Sequence, residues 1–437
     1  MNNHNGHANH KPHHEHHEHE HEHYHEASQT AASSDVWQPP SFPEVQKKTK
    51  QFVIGTYTRY PVAFYFGQGA IVYDLNQKEY IDFLSGISVT NLGHGDADIV
   101  EAIRSQAERL IHSSNLYYNV EQAELAEALI NYSFPGKVFF ANSGTEANEA
   151  AFKLMRRHGQ VNKFGAQRII ATEHSFHGRT AGAMSLTGNS KIRTGFGNLV
   201  PEVTHLPLDV TALEQTFEQS GGEICGMILE LVQGEGGVNP LPIDFVRRAR
   251  ELCTAHNAIL VVDEIQTGLS RTGRLFAYEH YDIWPDAMSL AKSLGAGLPL
   301  GALIVSTKFA DTLEVGMHGS TFGGNHLACK VGYEMLRILV GREISQNVDS
   351  MSEYFFQRLD SMKEKNPIIQ EVRGLGLMIG IELDRPARPI VERCLENGLI
   401  VNATADTVIR LLPPLNLDLD TAARGLDILE SALLELK

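Results

Sequence analysis

Lys292 is the residue of this chain whose surroundings most favour covalent chemistry. It is the one charged side chain between Ala287 and Thr307, a stretch of otherwise small, apolar or neutral residues. A lysine held in such a stretch loses hydration, its pKa falls, and its neutral amine can then form a Schiff base. The alternative is a lysine whose stem covers apolar surface while its ammonium reaches water. The glycine-rich sequence that follows predicts close packing and favours the first interpretation.

Asp263 and Phe176 each follow a short apolar run. Asp263 comes directly after Ile259–Val262, so its carboxylate is expected at a shielded strand end, where it needs a cationic or donor partner. A protonated pyridine nitrogen would serve, but Asp263 could equally cap the turn that follows. Phe176 could stack on a heteroaromatic ring, although an aromatic residue after a strand is more often part of a core.

Ser143-Gly144-Thr145 lies between an apolar run and a predicted helix that begins near Glu146. Free backbone N–H groups and the helix dipole at such a place favour a phosphate group. The alternative is a simple capping box, with Ser143 as N-cap and Glu146 three residues later. Taken alone, these two interpretations are about equally supported.

Two arginines have apolar or aromatic neighbours in the sequence. Arg179 follows Phe176-His177-Gly178, and Arg410 interrupts an apolar run. Such a guanidinium favours a bidentate carboxylate, either from a substrate or from a structural partner such as Glu235. A phosphate cradle, a stacking ring, a pyridinium partner and a deprotonatable lysine together match the requirements of pyridoxal phosphate (PLP).

Alternating strand and helix signals position these residues. Strands alternating with helices predict an α/β fold, in which a mostly parallel sheet carries helices on both faces and binds ligands beyond its carboxyl edge. Residues 71–74 and 80–83 predict a hairpin, and the pattern after residue 325 predicts a smaller α+β domain. The predicted sheet strands are Val138–Ala141, Ile169–Ala171, Cys225–Leu229, Ile259–Val262, Ala287–Leu290 and Ala302–Val305, and the predicted helices include Glu121–Asn131, Glu146–Arg157, Asp244–Ala255 and Leu327–Val340.

Composition excludes several classes of protein. With 53 acidic against 37 basic residues, the net charge of −16 disfavours non-specific nucleic-acid binding. An apolar run long enough for a membrane span and the apolar core of a secretory signal are both missing. The four cysteines are far apart in the sequence and form no CxxC pair. We therefore expect a cytoplasmic enzyme without a metal in its active site.

Residues 1–26 form a separate low-complexity segment. They contain eleven of the 21 histidines, interleaved with glutamates, and offer almost nothing to bury. This composition predicts a disordered tail, followed by a linker up to residue 44. The tail is either merely solvated or a loose ligand for zinc, nickel or copper, and the H-E-x-x-H match at His17–His21 arises from the repeated alternation itself.

From about Tyr57 to its C-terminus, the chain resembles the class III aminotransferases of PLP fold type I, most closely the branch that acts on acetylornithine. Long, specific motifs carry the resemblance: Asn142–Ala150 (NSGTEANEA), Phe176–Thr180 (FHGRT), Val232–Val238 (VQGEGGV), Asp263–Gly268 (DEIQTG), Leu290–Lys292 (LAK) and Gly319–Asn325 (GSTFGGN).

The resemblance implies a role for each motif residue. Lys292 would bind the cofactor covalently and move protons, with Asp263 as the second catalytic residue at the ring nitrogen. The cofactor-binding set would be Ser143, Gly144, Thr145, Phe176, Glu230, Asp263, Gln266, Lys292 and, reaching the neighbouring subunit, Thr321. The substrate-binding set would be Tyr57, Arg179 for the α-carboxylate of N-acetylornithine, Arg410 for that of glutamate, and Glu235 as the switch that pairs with Arg410.

The resemblance also implies the reaction and the assembly. The terminal amino group of N2-acetylornithine would pass to 2-oxoglutarate, giving N-acetylglutamate 5-semialdehyde and glutamate for arginine biosynthesis, in a homodimer with shared active sites. The alternatives are succinyldiaminopimelate, succinylornithine, ornithine or 4-aminobutyrate as amino donor, or a PLP mutase or decarboxylase. The expected division of the chain is a tail and linker (1–44), an N-terminal segment joining the small domain (45–90), a large cofactor domain (91–325) and a small C-terminal domain (326–437).

Overall fold

The computed structural model describes residues 39–435, and the chain divides into two compact units after Pro61. The described part of the first unit contains helix α1 (Phe42–Phe52), with Pro43 in its first turn. Proline fits there because the first turn has no intrahelical bond to lose. The Glu44 carboxylate accepts the backbone N–H of Ser41 at 2.9 Å, which fixes the start of the helix. The predictions for the His-rich tail lie outside the described residues.

The second unit begins with an antiparallel meander of β1 (Phe64–Gln68), β2 (Ile71–Asp74) and β3 (Glu79–Asp82). Its β2–β3 turn is the predicted hairpin, which is confirmed. The Asp74 carboxylate closes this turn by accepting the backbone N–H groups of Asn76 at 2.8 Å and Lys78 at 3.0 Å. A short strand from much later in the chain, Leu399–Ile400, pairs parallel with β3.

Next to the meander lies a short left-handed turn, α2 (Ser85–Ser88). All four residues have positive φ, from 49° at Ser85 to 67° at Ile87. Left-handed backbone costs about 1–2 kcal/mol per non-glycine residue, and it is rarest for a β-branched residue such as Ile87. Surrounding contacts must therefore hold this turn in place.

A seven-stranded sheet forms the framework of the second unit and confirms every predicted sheet strand within one or two residues. In order across the sheet, its strands are β4 (Gly136–Ala141), β12 (Gly301–Ser306), β11 (Ala287–Leu290), β10 (Ile259–Asp263), β7 (Ile224–Leu229), β5 (Arg168–Thr172) and β6 (Val203–Leu206).

Strand direction in this sheet is mostly parallel, as predicted. Neighbouring pairs from β11 to β6 run parallel, whereas β12 runs antiparallel to both of its neighbours, β11 and β4. The carboxyl ends of β4, β5, β7, β10 and β11 therefore meet at one edge, where ligands bind in such sheets. A two-stranded ribbon, β8 (Val232–Gln233) with β9 (Asn239–Pro240), follows β7 beside this edge.

Helices cover the strands, and the four predicted ones are confirmed. Helix α5 (Gly144–Asn162) packs its apolar face, including Ala150, Ala151, Leu154 and Met155, into a buried core built from the strands. This face repeats at helical spacing, which is what an amphipathic helix needs to cover a sheet. The helices of this region are α3 (Ala97–Ala107), α4 (Val120–Tyr132), α5 (Gly144–Asn162), α6 (Ala181–Leu186), α7 (Ser190–Arg193), α8 (Val210–Ser220) and α9 (Ile243–Ala255), with 3₁₀ turns at Ala277–Tyr281 and Lys292–Gly295.

The C-terminal part is the predicted mixture of helices and short strands. A four-stranded antiparallel sheet runs in the order β13 (Ile369–Leu375), β14 (Met378–Leu383), β17 (Val408–Leu411), β16 (Asn402–Thr404). Its helices are α10 (His326–Gly341), α11 (Ile344–Lys365), α12 (Arg388–Glu396) and α13 (Leu419–Glu435), and β15 is the strand Leu399–Ile400 that joins the meander. Between residues 39 and 435, each helix is too short or too polar to cross a lipid bilayer.

Candidate active site

A cavity of about 450 Å³ lies at the carboxyl edge of the seven-stranded sheet. Residues that follow five of its strands line this cavity, so nine of the predicted site residues come together there. They are Ser143, Gly144 and Thr145 after β4, Phe176 and Arg179 after β5, Glu230 after β7, Asp263 and Gln266 at and after β10, and Lys292 after β11.

Lys292 lies in this cavity two residues after the end of β11, at the start of a 3₁₀ turn. Its own φ is 48°, so the backbone turns sharply where the side chain enters the cavity. Removal from water lowers the pKa of its amine from 10.5 to about 8. Nearby Arg410 contributes to this lower pKa, and the carboxylates of Glu235, Asp263 and Glu230 oppose it. Burial of Lys292 thus acts in the direction predicted from the sequence.

Asp263 is held in the site by two buried side chains. Its Oδ2 accepts a hydrogen bond from Asn148 Nδ2 at 2.8 Å and lies 2.7 Å from His177 Nδ1. Its Oδ1 accepts the backbone N–H of Ile265 at 3.1 Å, so the residue also caps the following turn. The interpretation of Asp263 as a cap of the following turn is therefore confirmed, and its role as partner of a pyridine nitrogen stays a prediction.

Glu230 anchors the loop after β5. Its Oε2 accepts the backbone N–H of Phe176 at 2.7 Å, and its Oε1 accepts that of Gly234 at 3.4 Å. Burial raises the pKa of Glu230 to about 7, Asp263 adds to this, and His177 opposes it. The buried carboxyl thus ties Phe176, whose ring lines the cavity, to the segment that leads to Glu235.

The loop Ser143–Thr145 opens helix α5. Ser143 Oγ accepts the backbone N–H of Glu146 at 3.3 Å, which confirms the predicted N-cap. Gly144 permits a close approach, since a Cβ there would lie 2.7 Å from Ile265 Cδ1. Thr145 Oγ1 lies 3.0 Å from Thr180 Oγ1 and thereby joins this loop to the loop after β5. The first N–H groups of a helix have no intrahelical acceptor, so they are available to an anion here.

Arg410 is fully buried beside the cavity and paired with Glu235. Its Nη1 lies 2.7 Å from Glu235 Oε1, and its Nε donates to Asn402 Oδ1 at 3.1 Å. Burial favours the protonated form of Glu235, but Arg410 outweighs this and the pKa of Glu235 is lowered. Arg410 Nη2 is buried without a hydrogen-bond partner among residues 39–435. The guanidinium therefore has donor capacity left for a carboxylate.

Gln266 lies between Arg410 and the cavity. Arg410 Nη1 donates to its amide oxygen at 3.2 Å. A guanidinium has donors alone, so the oxygen of the amide must face Arg410, which leaves the Nε2 donors for another acceptor. The backbone at Gly234 approaches closely, because a Cβ there would lie 2.4 Å from Gln266 Oε1. The site thus presents an oriented N–H donor.

Arg179 differs from Arg410 in its surroundings. It is exposed, and its guanidinium carbon lies 5.8 Å from the centroid of the Phe176 ring. At this distance the ring contributes a weak cation–π attraction and leaves the guanidinium open to a carboxylate. The site therefore contains one accessible arginine and one arginine closed by Glu235.

The remaining predicted site residues are the Arg410–Glu235 pair described above, Thr321 and Tyr57. Thr321 is exposed in the loop before α10, and Tyr57 is an exposed residue of the first unit. Their predicted roles stay predictions. Within the described residues, no cluster of three or more His, Cys, Asp or Glu side chains is arranged for a metal ion.

The sequence arguments missed three polar residues that orient the predicted ones. Asn148 and His177 fix Asp263, and Asn402 fixes Arg410. Asn148 has a detectable signal, because it is an amide on a buried helix face whose neighbouring positions are the apolar Ala151, Phe152 and Met155. Nothing in the sequence near Asn402 distinguishes it, because its partner lies in the neighbouring antiparallel strand.

Comparison with known proteins adds to this geometry. The family model of the class-III aminotransferases matches residues 56–433. The acetylornithine aminotransferase of Caldanaerobacter subterraneus subsp. tengcongensis is 42% identical over 391 residues, which cover 89% of this chain and 98% of that protein. The enzyme of the same name from Methanocaldococcus jannaschii is 40% identical, over 89% of this chain and 97% of its own length.

Solved structures agree with the sequence matches. The acetylornithine aminotransferase of Elizabethkingia anophelis is 32% identical, with a TM-score of 0.83 over 91% of this chain and 100% of that one. The ornithine aminotransferase of Toxoplasma gondii, with partial occupancy of PLP at its active site, is 33% identical, with a TM-score of 0.86 over 90% of this chain and 94% of that one. With its motifs, its fold and these relatives in agreement, the chain belongs to the class-III aminotransferases.

Proposed function

We propose that this protein is a PLP-dependent aminotransferase that moves the terminal amino group of N2-acetylornithine to 2-oxoglutarate in arginine biosynthesis. The observation that carries the proposal is Lys292, an amine with a pKa of about 8 in a cavity that also contains Asp263 and adjoins the Arg410–Glu235 pair. Two carboxylate-binding arginines suit two carboxylate substrates that use the cavity in turn. The names of the relatives support acetylornithine as the amino donor.

The residues of the cavity fit PLP group by group. The helix N-terminus at Ser143–Thr145 offers N–H donors to its phosphate, and the oriented Nε2 of Gln266 offers a donor to its phenolic oxygen. Asp263 offers a carboxylate to its ring nitrogen, and Phe176 offers a ring face. A cavity of about 450 Å³ suits a cofactor with a small substrate. When bound, PLP supplies an electron sink for the carbanion formed at the substrate carbon.

Lys292 and Asp263 divide the chemical work. Lys292 Nζ would hold the cofactor by condensing with its aldehyde and releasing water, and its lowered pKa supplies the neutral amine that this needs. With the cofactor and a substrate bound, the neutral Lys292 Nζ would act as the base for the proton on the substrate carbon and as the acid that returns a proton at C4′ of the cofactor. Asp263, fixed by Asn148 and His177, holds a proton on the ring nitrogen.

The two arginines separate the two half-reactions. Arg179 is accessible and binds the α-carboxylate of N-acetylornithine while Glu235 covers Arg410. When Glu235 moves aside, Arg410 binds the α-carboxylate of glutamate or 2-oxoglutarate. Asn402 and Gln266 hold the guanidinium in place throughout, so the movement is confined to Glu235.

Half-reaction spectroscopy tests the reaction and the amino donor. Holoenzyme is mixed with one amino donor in the absence of 2-oxoglutarate, and conversion of the cofactor absorbance is followed. We expect the highest kcat/KM for N-acetylornithine when it is compared with ornithine, succinylornithine, succinyldiaminopimelate and 4-aminobutyrate. Conversion by none of them would contradict transamination, and a higher kcat/KM for another donor would replace the proposed substrate. Release of carbon dioxide, or an isomer of the donor with no amino transfer, would point to a decarboxylase or a mutase.

We also propose a homodimer in which Thr321 serves the cofactor phosphate of the partner subunit. In support, Thr321 is exposed, and Asn115 Nδ2 ties its loop to the preceding segment through Ser320 O at 3.0 Å and Gly323 O at 2.9 Å. A group of exposed apolar side chains near this loop also favours burial against a second copy of the chain. Around this loop they are Leu110, Ile111, Leu116, Tyr117, Tyr118 and Phe322.

A cytoplasmic location is part of the same proposal. The four cysteines are unpaired and buried, as expected in a reducing compartment. Fractionation of cells that produce the full chain would test this, and recovery with the periplasmic or organellar fraction would contradict it.

A further inference from the structure

We infer that Arg271 is a positioning residue for this active site: together with Asp82 it clamps the left-handed turn Ser85–Ser88 against the segment that begins with Lys292. The inference rests on the proposed function insofar as it gives Lys292 its role. Arg271 belongs to the loop after β10, and it lies outside the cavity lining described above.

Arg271 is fully buried and bonds to three separate stretches of the chain. Its Nε donates to Ser88 Oγ at 3.1 Å, and its Nη2 donates to Asn91 Oδ1 at 2.6 Å. Its Nη1 donates to two backbone carbonyls, Leu377 O at 3.0 Å and Pro413 O at 2.6 Å. The guanidinium thus joins the meander end of the unit to the C-terminal sheet.

The charge of Arg271 is held without a direct ion pair. Each of its bonds to the described residues goes to a neutral oxygen, and burial lowers the pKa of its guanidinium to about 9, opposed by Asp82. Burying a cation in this way is costly unless its hydrogen bonds are satisfied. An apolar side chain would fill the same space without the cost of burying a charge. The need for an arginine at this position therefore comes from its hydrogen bonds.

Asp82 holds the opposite end of the turn. Its Oδ1 accepts the backbone N–H groups of Leu84 at 2.9 Å and Ser85 at 2.8 Å, and its Oδ2 lies 2.9 Å from His94 Nε2. The buried carboxylate of Asp82 thus fixes the start of the turn, and the buried guanidinium of Arg271 fixes its end at Ser88. Two opposite charges at the two ends offset the backbone strain of the residues between them.

The clamped turn is connected to the active site through the Lys292–Gly295 turn, through Val89 and through Gln266. It packs against the turn Lys292–Gly295, and Val89, which follows it directly, lines the cavity. Ser88 Oγ also lies 3.3 Å from the carbonyl oxygen of Gln266. Loss of the clamp would therefore release both Lys292 and the backbone of Gln266 from their fixed positions.

Amide hydrogen exchange on the holoenzyme tests the clamp in Arg271→Lys and Ser88→Ala. Lysine keeps the charge but lacks the planar fork that reaches several acceptors at once, and Ser88→Ala removes one acceptor. We expect exchange in peptides covering 82–92 and 290–296 to rise by about tenfold in both variants. We also expect the pH midpoint of the cofactor absorbance band, which reports on the environment of Lys292, to shift.

Leu359→Ala is the matched control, since Leu359 is fully buried in α11, outside the cavity lining. It lowers the melting temperature by loss of packing and should leave both readouts as in the wild type. Unchanged exchange at 82–92 in folded Arg271→Lys, or an equal rise in Leu359→Ala, would overturn the inference. If Arg271→Lys does not fold, the amide exchange measured in Ser88→Ala tests the inference by the same criteria. Exchange needs no substrate, so a wild type inactive on N-acetylornithine would refute the proposed function and leave the clamp standing.

Discussion

At the scale of single residues, the reactivity of Lys292 depends on its protonation. We expect the rate at which cofactor-free protein combines with PLP to rise with pH and to level off above about pH 8, because the neutral amine is the nucleophile. Stopped-flow absorbance over a pH series measures this rate. A rate that keeps rising towards 10.5, the ordinary pKa of lysine, would show that the amine is hydrated. Lys292→Ala serves as the control, and its turnover should fall by at least about 10²–10⁴-fold with the fold retained.

Arg410 is predicted to matter more for one half-reaction than for the other. Arg410→Ala should slow the half-reaction with glutamate by about two orders of magnitude, because it removes a buried cation that binds the α-carboxylate. The rate of the half-reaction with N-acetylornithine should fall less, since Arg179 binds the α-carboxylate of that substrate. Single-turnover absorbance measures both rates, with Glu235→Gln as the companion variant that opens Arg410 without removing it. Equal losses in the two half-reactions would disprove the switch.

How far the site can be predicted differs from residue to residue. Lys292 and Asp263 stand out because a charge in an apolar run has few purposes, and the structure places both in the cavity. His177 and Asn148 do not stand out as partners of Asp263, since their contacts join a loop, a helix and a strand that are far apart in the sequence. Residue type predicts the chemistry, whereas the orienting contacts depend on tertiary structure.

At the scale of elements, the packing of α13 on the meander allows a direct test. Gly425 in α13 faces Phe83, whose ring is fully buried, and a Cβ at Gly425 would lie 2.2 Å from Phe83 Cζ. Gly425→Ala should therefore lower the free energy of unfolding by about 1–3 kcal/mol. Gly341→Ala, at the open end of α10, is the control, since a Cβ there meets nothing within 4 Å. Denaturant unfolding measures both, and an unchanged or raised stability in Gly425→Ala would contradict the packing.

Most elements were predictable, and the exceptions have physical reasons. Strands such as β7 and β10 are apolar on both faces because the sheet is covered, so their sequences are unmistakable. The antiparallel direction of β12 was not predictable, because an apolar run is compatible with a parallel and with an antiparallel strand. The turn Ser85–Ser88 was missed because Gly86 is its one signal of left-handed backbone, whereas Ile87 and the two serines carry none.

At the scale of the whole molecule, the proposed dimer predicts complementation between two inactive chains. If each site uses its own Lys292 and Thr321 of the partner subunit, a hybrid of Lys292→Ala and Thr321→Glu chains has one doubly defective and one intact site. We expect the mixture to recover activity that neither parent has, because the added carboxylate of Thr321→Glu repels the phosphate in the parent dimer. Refolding differently tagged chains together and assaying the purified hybrid measures this. No recovery in a confirmed hybrid would contradict shared sites.

Removal of residues 1–26 separates the tail from catalysis. We expect kcat and KM to stay unchanged, since the cavity is built from residues 89–300. Uptake of zinc, followed by titration calorimetry, should decrease with the loss of eleven histidines. Equal zinc uptake by the full and shortened chains would leave the tail without a role in metal binding, and a large change in kcat would connect it to catalysis.

The cavity at the sheet edge also constrains the kinetics. About 450 Å³ must accommodate the cofactor and a substrate, so amino donor and keto acid cannot occupy it together. The donor product has to leave before the acceptor enters, which gives a ping-pong scheme with parallel double-reciprocal lines. The same geometry lets 2-oxoglutarate occupy the wrong enzyme form, so an excess of acceptor should slow the forward reaction, and raising the donor concentration should relieve that inhibition.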